Sequence, residues 1–364
     1  MKKSLLALAV LTAVSGAASA QSSVTLYGKV DLGMVYDSGN AAGKSVRVSS
    51  GVTGGSRLGF KGVEDLGGGN KFSFQLETGY CADSAAPSTS TLTVKNSAGA
   101  TVGTTTQSVP NFCTGSNNFM GRQAHGDLTG AFGALSAGRQ YSLGFNNLAT
   151  IDPFGAGYAG QANNVNAAGV YLVDPSGIRL NNSVTYSTPN MSGFTGSVEA
   201  SLGEVTGNWQ SGRETGAGVN YASGPIYAGV TYYDLGNAAG NGPAKKVITF
   251  GGSYDFGVIK IHALGQKVSG TSTLDIFNLM GGVTVPLGGG SLMASYVKHN
   301  DRTAADQDAN QIGVGYQYPL SKRTALYTSF ARIQNHNGAG MFVGNATETG
   351  TGNKGFNAGV VHNF

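Results

Sequence analysis

Residue types that support catalysis are few and scattered in this sequence. The histidines show no i,i+4 spacing; they are His125, His262, His299, His336 and His362. No G-x-S-x-G nucleophile elbow occurs, although spacing alone does not exclude a Ser/His pair that is assembled by folding. Residues 155–160 match the dinucleotide pattern G-x-G-x-x-G, but no helical periodicity follows, so a flexible loop is the preferred interpretation. The sequence therefore predicts neither an enzyme nor a cofactor-binding protein.

The two cysteines, Cys81 and Cys113, lie in one stretch rich in Gly, Ser and Thr. An exported chain meets an oxidising compartment, so we expect a disulfide between them. In the chain-entropy model such a bond stabilises the fold by about 3–4 kcal/mol. Since there is no second pair, the sequence has no C-x-x-C metal motif.

Export is predicted by the first twenty residues. Lys2 and Lys3 precede an apolar run over 5–14, and Ala18-Ser19-Ala20 is a small-x-small cleavage pattern. The run is too short to span a bilayer as a helix. We expect residues 1–20 to be a cleaved signal peptide and residues 21–364 to form one domain.

Composition indicates β structure in a membrane. Glycine accounts for 59 of 364 residues, and charged residues make up only 12%, about twice and about half of the usual shares. Sixteen Tyr and sixteen Phe argue against a disordered chain. The formal net charge is +4 and the basic residues are dispersed, so no nucleic-acid partner is expected. After the leader no apolar run of about 18 residues occurs, whereas a barrel needs only alternate residues to face lipid.

Alternation of period two predicts the strands. In residues 24–36 every second side chain is almost always apolar, while Thr25, Lys29 and Asp31 form the other face. Residues 71–80 repeat the pattern. About ten alternating residues are enough for a tilted strand to cross a bilayer. The last strand, 354–364, must pair with the first, because an open edge in lipid is very costly.

Turn chemistry gives a strand count. Seven short connections rich in Gly, Pro, Asn and Asp are predicted near 64–70, 129–133, 189–193, 223–225, 255–257, 286–290 and 319–323. Eight longer polar connections are predicted near 37–52, 81–117, 142–177, 203–212, 235–245, 268–272, 299–309 and 335–353. Fifteen connections imply sixteen antiparallel strands, and the alternation of short turns with long loops is typical of a transmembrane β-barrel.

Charges within the strands are the candidate functional residues. Seven interrupt or flank the membrane-crossing segments: Lys29, Asp31, Arg57, Glu77, Arg122, Arg139 and Arg179. A charge facing lipid near the bilayer centre costs about 2–4 kcal/mol, so an inward direction is expected, with a rim position as the alternative. Strict alternation would point Arg122 and Arg139 outward, because they share parity with Leu128 and Leu135. A β-bulge or a rim position would reconcile both.

Four segments resemble the general-diffusion porins of Gram-negative outer membranes, most closely the β-proteobacterial branch. They are residues 23–31 (SVTLYGKVD), residues 56–69 (SRLGFKGVEDLGGG), residues 132–140 (FGALSAGRQ) and the terminal residues 362–364 (HNF). The resemblance covers the whole chain after the leader. It implies an all-β, sixteen-stranded antiparallel transmembrane barrel in which loop 3, residues 142–177, folds inward.

The resemblance also implies a function. In that family basic residues of the wall face acidic residues of loop 3 across a constriction. The matching wall residues are Lys29, Arg57, Arg139 and Arg179, with Arg122 as a further candidate, and Asp152 matches the acidic start of loop 3. Asp174 is the only other acid of this loop, so the constriction is expected to be net positive.

A homotrimer in the cell outer membrane is implied as well, in contact with lipid and lipopolysaccharide. The terminal aromatic, Phe364, would be read by the barrel-assembly machinery. Such a pore would pass small hydrophilic solutes and inorganic ions passively, with weak to moderate anion preference. Two other classes stay open, a substrate-selective channel and a plugged or adhesive barrel. The single Trp209 lies in a predicted outer loop and argues against an aromatic sugar track.

Overall fold

The computed structural model describes residues 23–40, 43–83, 88–95, 101–109, 119–164, 178–208, 211–235, 245–271, 274–348 and 350–364. The predicted signal peptide lies outside these residues, so its cleavage stays a prediction. No helix within the described ranges is long and apolar enough to span a bilayer.

Nineteen strands and two short helices are described. The strands are β1 Ser23–Asn40, β2 Gly43–Ser50, β3 Arg57–Gly67, β4 Asn70–Gly79, β5 Ser88–Lys95, β6 Thr101–Val109, β7 Gln123–Gly130, β8 Gly133–Tyr141, β9 Arg179–Ser187, β10 Phe194–Ser201, β11 Glu214–Ser223, β12 Ile226–Leu235, β13 Lys245–Asp255, β14 Lys260–Thr271, β15 Leu274–Leu287, β16 Gly290–Asp301, β17 Ala309–Pro319, β18 Thr324–Asn335 and β19 Lys354–Asn363. The α-helix α1 spans Leu143–Ile151, and a 3₁₀ turn spans Ala162–Asn164.

The sheet closes into a barrel at β1. One edge of β1 pairs with β19, from Lys29 opposite Asn363 to Ser38 opposite Lys354. The other edge pairs first with β3 and then with β2. These two strands therefore share one position, interrupted at residues 51–56, and the seventeen strands of the sheet make a closed barrel of sixteen positions. The predicted fold class and the pairing of the last strand with the first are confirmed.

All seven predicted short turns join strands where the sequence placed them. The first predicted long loop is wrong, because β1 continues to Asn40 and β2 begins at Gly43. The polar residues of 37–52 suggested a loop, yet the ladder runs through them and the strand breaks only at 51–56. The loop predicted at 268–272 is likewise too long, since β14 reaches Thr271 and β15 starts at Leu274. Between β4 and β7 the separate hairpin β5–β6 was not predicted.

Alternation places apolar side chains outside the barrel, as predicted. On β18 Leu326 and Phe330 are exposed, whereas Tyr327 and Ala331, each the next residue along the strand, are buried. On β4 Phe72 and Leu76 are exposed and Glu77 is buried. An exposed apolar face is stable here because it faces lipid rather than water.

The described part of loop 3, residues 142–164, folds into the barrel, as predicted. Ser142 caps α1 by accepting a hydrogen bond from the Phe145 N–H at 3.1 Å. Leu148 and Ile151 of α1 belong to a buried apolar cluster that includes Leu264 and Met280 of the wall. The chain then runs along β17, where small residues make room for it. A Cβ at Gly313 would lie 2.7 Å from Gly160 Cα, so only glycine permits this approach.

Candidate pore constriction

Neighbouring strands bring the predicted basic residues together. Lys29 of β1 lies directly opposite Arg57 of β3, so both side chains point to the same face of the sheet. Arg57 lies opposite Gly79 on the next strand, two residues from Glu77. The lumen face of three adjacent strands therefore carries two cations and one acid.

Glu77 is the acidic centre of this group. Its carboxylate accepts a hydrogen bond from Arg122 Nε at 2.8 Å and lies 3.7 Å from Arg57 Nη1. The Tyr27 hydroxyl donates to the same carboxylate at 3.0 Å. Glu77 is 1% exposed, whereas the Arg57 side chain keeps 23% of its surface accessible. A buried carboxylate is stable here because several donors compensate its lost hydration.

Tyr141 joins two further arginines. Its hydroxyl oxygen accepts hydrogen bonds from Arg122 Nη2 at 2.7 Å and from Arg179 Nη2 at 2.9 Å. The Arg179 guanidinium carbon lies 4.5 Å from the centre of the Tyr141 ring, a cation–π distance. Phe145 of α1 stacks on the same ring at 4.7 Å between centroids. No carboxylate of the described residues forms an ion pair with Arg179.

Local irregularities explain how Arg122 and Arg139 escape strict alternation. Arg122 precedes β7, following Met120 with its left-handed φ of 60°. At Arg139 the register of β8 against β9 shifts, next to Gly138 with φ 131°. Arg139 donates from Nε to the Gly121 carbonyl at 2.7 Å and also bonds the Asn181 side chain. The bulge therefore reverses the side-chain direction that strict alternation gives Arg139, as the sequence analysis allowed. For Arg122 the interruption of the strand ladder before β7 has the same effect.

Asp31 organises the break in the second barrel strand. It is 0% exposed, and Oδ2 accepts hydrogen bonds from Thr53 N and Thr53 Oγ1, both at 2.7 Å. Gly54 N donates to the same oxygen at 3.2 Å, and Tyr327 donates to Oδ1 at 2.7 Å. Lys29 Nζ donates to Thr53 Oγ1 at 3.0 Å. The Asp31 carboxylate therefore ties residues 53 and 54 of the break to β1 and also binds β18 through Tyr327.

Glycines in that break give the cations space. A Cβ at Gly54 would lie 2.9 Å from Lys29 Nζ and 3.3 Å from Arg57 Nη2. A Cβ at Gly55 would lie 2.6 Å from Arg122 Nη1. Sequence reasoning missed this segment, although the run Gly51-Val52-Thr53-Gly54-Gly55 was the signal that could have revealed it.

The predicted role of Asp152 needs correction. Asp152 is only 4% exposed, and the hydrogen bonds of its carboxylate stay within loop 3. Its carboxylate accepts backbone hydrogen bonds from Phe154 at 3.0 Å, Ala156 at 3.1 Å and Ala162 at 3.0 Å. Burial raises its pKa to about 6. Asp152 therefore folds loop 3 onto itself, because the loop turns back immediately after the residue.

Cys81 is disulfide-bonded, and no cysteine of the described residues is free. Its expected partner Cys113 lies outside the described residues, as do Asp174 and Trp209. The pairing of Cys81 with Cys113 therefore stays a prediction.

A closed sixteen-position barrel with a loop folded inside and a basic wall is the geometry of a pore. A family model described as Gram-negative porin matches residues 7–338. The chain belongs to the Gram-negative porin family. The porin is 35% identical over 385 residues to outer membrane porin protein 32 of Delftia acidovorans, and both chains are covered completely. It is 30% identical over 426 residues to an outer membrane porin protein of Bordetella pertussis, again with complete coverage.

A solved structure agrees with this membership. The anion-selective porin from Comamonas acidovorans matches the porin with a TM-score of 0.74 and 30% identity, over 94% of this chain and 100% of that one. The predicted family is thus confirmed. The porin is a multi-pass β-barrel of the outer membrane and a diffusion channel.

The C-terminus of the porin completes the barrel seam. Gly28 N donates to the Phe364 carbonyl at 3.0 Å, and Phe364 N donates to the Gly28 carbonyl at 3.1 Å. The Phe364 ring lies against Gly28, where a Cβ would collide with it. The terminal aromatic therefore has a structural place in the folded barrel.

The last long loop of the porin, residues 336–353, is hydrogen-bonded to loop 3. Gly344 N donates to Asn164 Oδ1 at 3.0 Å, and Gln161 Nε2 donates to the Asn345 carbonyl at 2.7 Å. Thr347 Oγ1 donates to the Ser50 carbonyl at 2.7 Å, beside the break in the second strand. The two loops thus support each other through direct hydrogen bonds.

Within the described ranges of the porin, the side chains of a Ser, a His and an Asp do lie together, but their geometry is not that of a catalytic relay. His125 Nδ1 lies 2.9 Å from Asp127 Oδ1, and the same Nδ1 lies 3.5 Å from Ser136 Oγ. In a relay the acid and the nucleophile contact opposite ring nitrogens. The G-x-G-x-x-G segment, residues 155–160, lies in loop 3 between α1 and the 3₁₀ turn.

Proposed function

We propose that this porin passes small hydrophilic solutes and inorganic ions by passive diffusion, with a weak to moderate preference for anions. The observation that carries the proposal is the basic cluster of the wall, which comprises Lys29, Arg57, Arg122, Arg139 and Arg179. Two acids lie within it, Asp31 and Glu77, and both are committed to neighbouring donors. The cluster therefore has an excess of positive charge that an ion meets in the lumen.

Electrostatics explains how such a cluster selects ions. A unit charge about 6 Å from the path of an ion in water changes its energy by about 0.7 kcal/mol, or about three-fold in local concentration. Salt at 0.1 M screens this effect over about 10 Å, so the preference falls as the salt concentration rises. Uncharged solutes are selected by size alone. No energy input or covalent step is required, and we propose no catalytic activity.

The assembly and partners follow from the family. We propose a homotrimer in contact with outer-membrane lipid and lipopolysaccharide, delivered by the barrel-assembly machinery through recognition of Phe364. The related porin from Comamonas acidovorans is described as anion-selective, which supports the direction of the proposed ion preference.

Neutralising two half-buried members of the cluster tests the proposal. In the variant Arg57→Gln with Arg179→Gln, the anion/cation permeability ratio should fall several-fold at 0.1 M salt, because two fixed charges are lost. The readout is the reversal potential of single channels in a salt gradient. The control is Lys44→Gln with Lys322→Gln, two exposed lysines outside the cluster. A wild-type ratio in the arginine variant would refute the assignment of the cluster.

A further inference from the structure

Tyr141 occupies a position that the charges alone do not explain. Its oxygen accepts hydrogen bonds from two guanidinium groups, those of Arg122 and Arg179, and its ring lies beneath the second. We propose that Tyr141 is a positioning residue, which fixes these two arginines and thereby sets the ion selectivity of the pore. This inference rests on the proposed function.

Like charges need a reason to stay together. Arg122 and Arg179 are close enough for their charges to interact, and an unrestrained pair would separate. A phenol oxygen accepts two hydrogen bonds and keeps its own hydrogen, and the ring adds a cation–π contact. Tyrosine thus supplies a shared acceptor without adding the negative charge that a carboxylate would bring.

The two arginines do not depend on Tyr141 equally. Arg122 is also held by Glu77 at 2.8 Å. The Nε atom of Arg179 is buried without a hydrogen-bond partner among the described residues. The Arg179 guanidinium contacts both the hydroxyl and the ring of Tyr141. Loss of the hydroxyl should therefore release Arg179 more than Arg122.

Tyr141 lies where loop 3 leaves and rejoins the wall. It pairs with Arg179 across β8 and β9, and Ser142 N donates to the Ile178 carbonyl at 3.2 Å. Phe145 of α1 stacks on its ring. The position of the arginines is thus tied to the start of the inward loop, so loop 3 and the charged wall are set by one side chain.

The size of the effect follows from Coulomb's law. If the Arg179 charge moves from about 5 Å to about 10 Å from the ion path in water, the local concentration of each ion changes about two-fold. The local anion concentration falls and the local cation concentration rises, so the anion/cation permeability ratio changes about four-fold. At 1 M salt the screening length is about 3 Å and the difference should vanish.

The test is Tyr141→Phe, which keeps the ring and its stacking but removes the shared acceptor. We expect an anion/cation ratio reduced about four-fold at 0.1 M salt and unchanged at 1 M. Uptake of uncharged sugars into liposomes should stay at the wild-type rate, which a merely structural loss would not allow. Tyr80→Phe is the matched control, because the Tyr80 hydroxyl donates to the Lys29 backbone carbonyl at 3.0 Å rather than to a charged side chain.

A double-variant cycle identifies the residue through which Tyr141 acts. In an Arg179→Gln background, Tyr141→Phe should change the ratio by much less than in the wild type. An equal effect in both backgrounds, or a wild-type ratio in Tyr141→Phe, would overturn the positioning role. Wild-type channels without anion preference would instead refute the proposed function on which the inference depends.

Discussion

Replacing Glu77 by Gln tests the charge balance of the basic cluster in two ways, through protein stability and through ion selectivity. The substitution keeps the side-chain shape but removes the charge that faces Arg122 at 2.8 Å and Arg57 at 3.7 Å. Removing one partner of a buried ion pair costs about 3–5 kcal/mol, because the other charge is left uncompensated. Arg57 keeps 23% of its side chain accessible and rehydrates, so we expect the lower end, about 3 kcal/mol.

The same change adds one positive charge to the cluster. Glu77→Gln should therefore raise the anion/cation permeability ratio, opposite to the effect of removing arginines. Stability is measured by a urea titration, and the readout is the loss of the compact, folded band on gels of unheated samples. The control is Glu64→Gln, an exposed acid on β3, which should change stability by less than about 0.5 kcal/mol. Wild-type stability together with a wild-type reversal potential in Glu77→Gln would refute the reasoning.

Two further predictions concern loop 3. The pKa of Asp152 is raised to about 6 from 3.8 by burial, so the folded protein binds this proton more tightly than the unfolded chain does. The free energy of unfolding should then rise by roughly 1 kcal/mol as the pH falls from 7 to 5. Urea titrations at the two pH values should show this rise in the wild type and not in Asp152→Asn. Gly313→Ala places a Cβ 2.7 Å from Gly160 Cα, and the forced shift of loop 3 should cost about 1–3 kcal/mol. Single-channel conductance should change with it, and an unchanged conductance would argue against contact between loop and wall.

The barrel was predictable because its signals are local. Period-two alternation, tight-turn residues and a closing strand are each written within about ten residues, as in 71–80 and the turn at 64–70. Closure followed from one physical constraint, the cost of an unpaired edge in lipid. The interruption at 51–56 was missed, because the polar residues of 37–52 suggested a single loop.

The sequence pointed to the basic residues that the fold groups together, but only partly to how they are arranged. Lys29 and Arg57 follow the period-two alternation of their strands, so this alternation was enough to assign both side chains to the inner face. Arg122 and Arg139 depend on an irregular strand end and a bulge, which alternation does not encode. Asp152 carries the charge that the family pattern expects at the start of loop 3. The direction of its side chain, however, is decided by the fold of loop 3, whose backbone it binds. Tyr141 gave no signal at all, because a tyrosine at a strand end is ordinary until its two arginine partners are known.

Recording from single wild-type channels tests the central claim most directly. The protein, purified without boiling, is inserted into a planar bilayer, and conductance steps and the reversal potential are measured in a salt gradient. We predict open channels with three comparable sublevels and a reversal potential that favours anions at low salt. Open channels that favour cations would contradict the role of the basic cluster, and folded protein without conductance would contradict the pore itself.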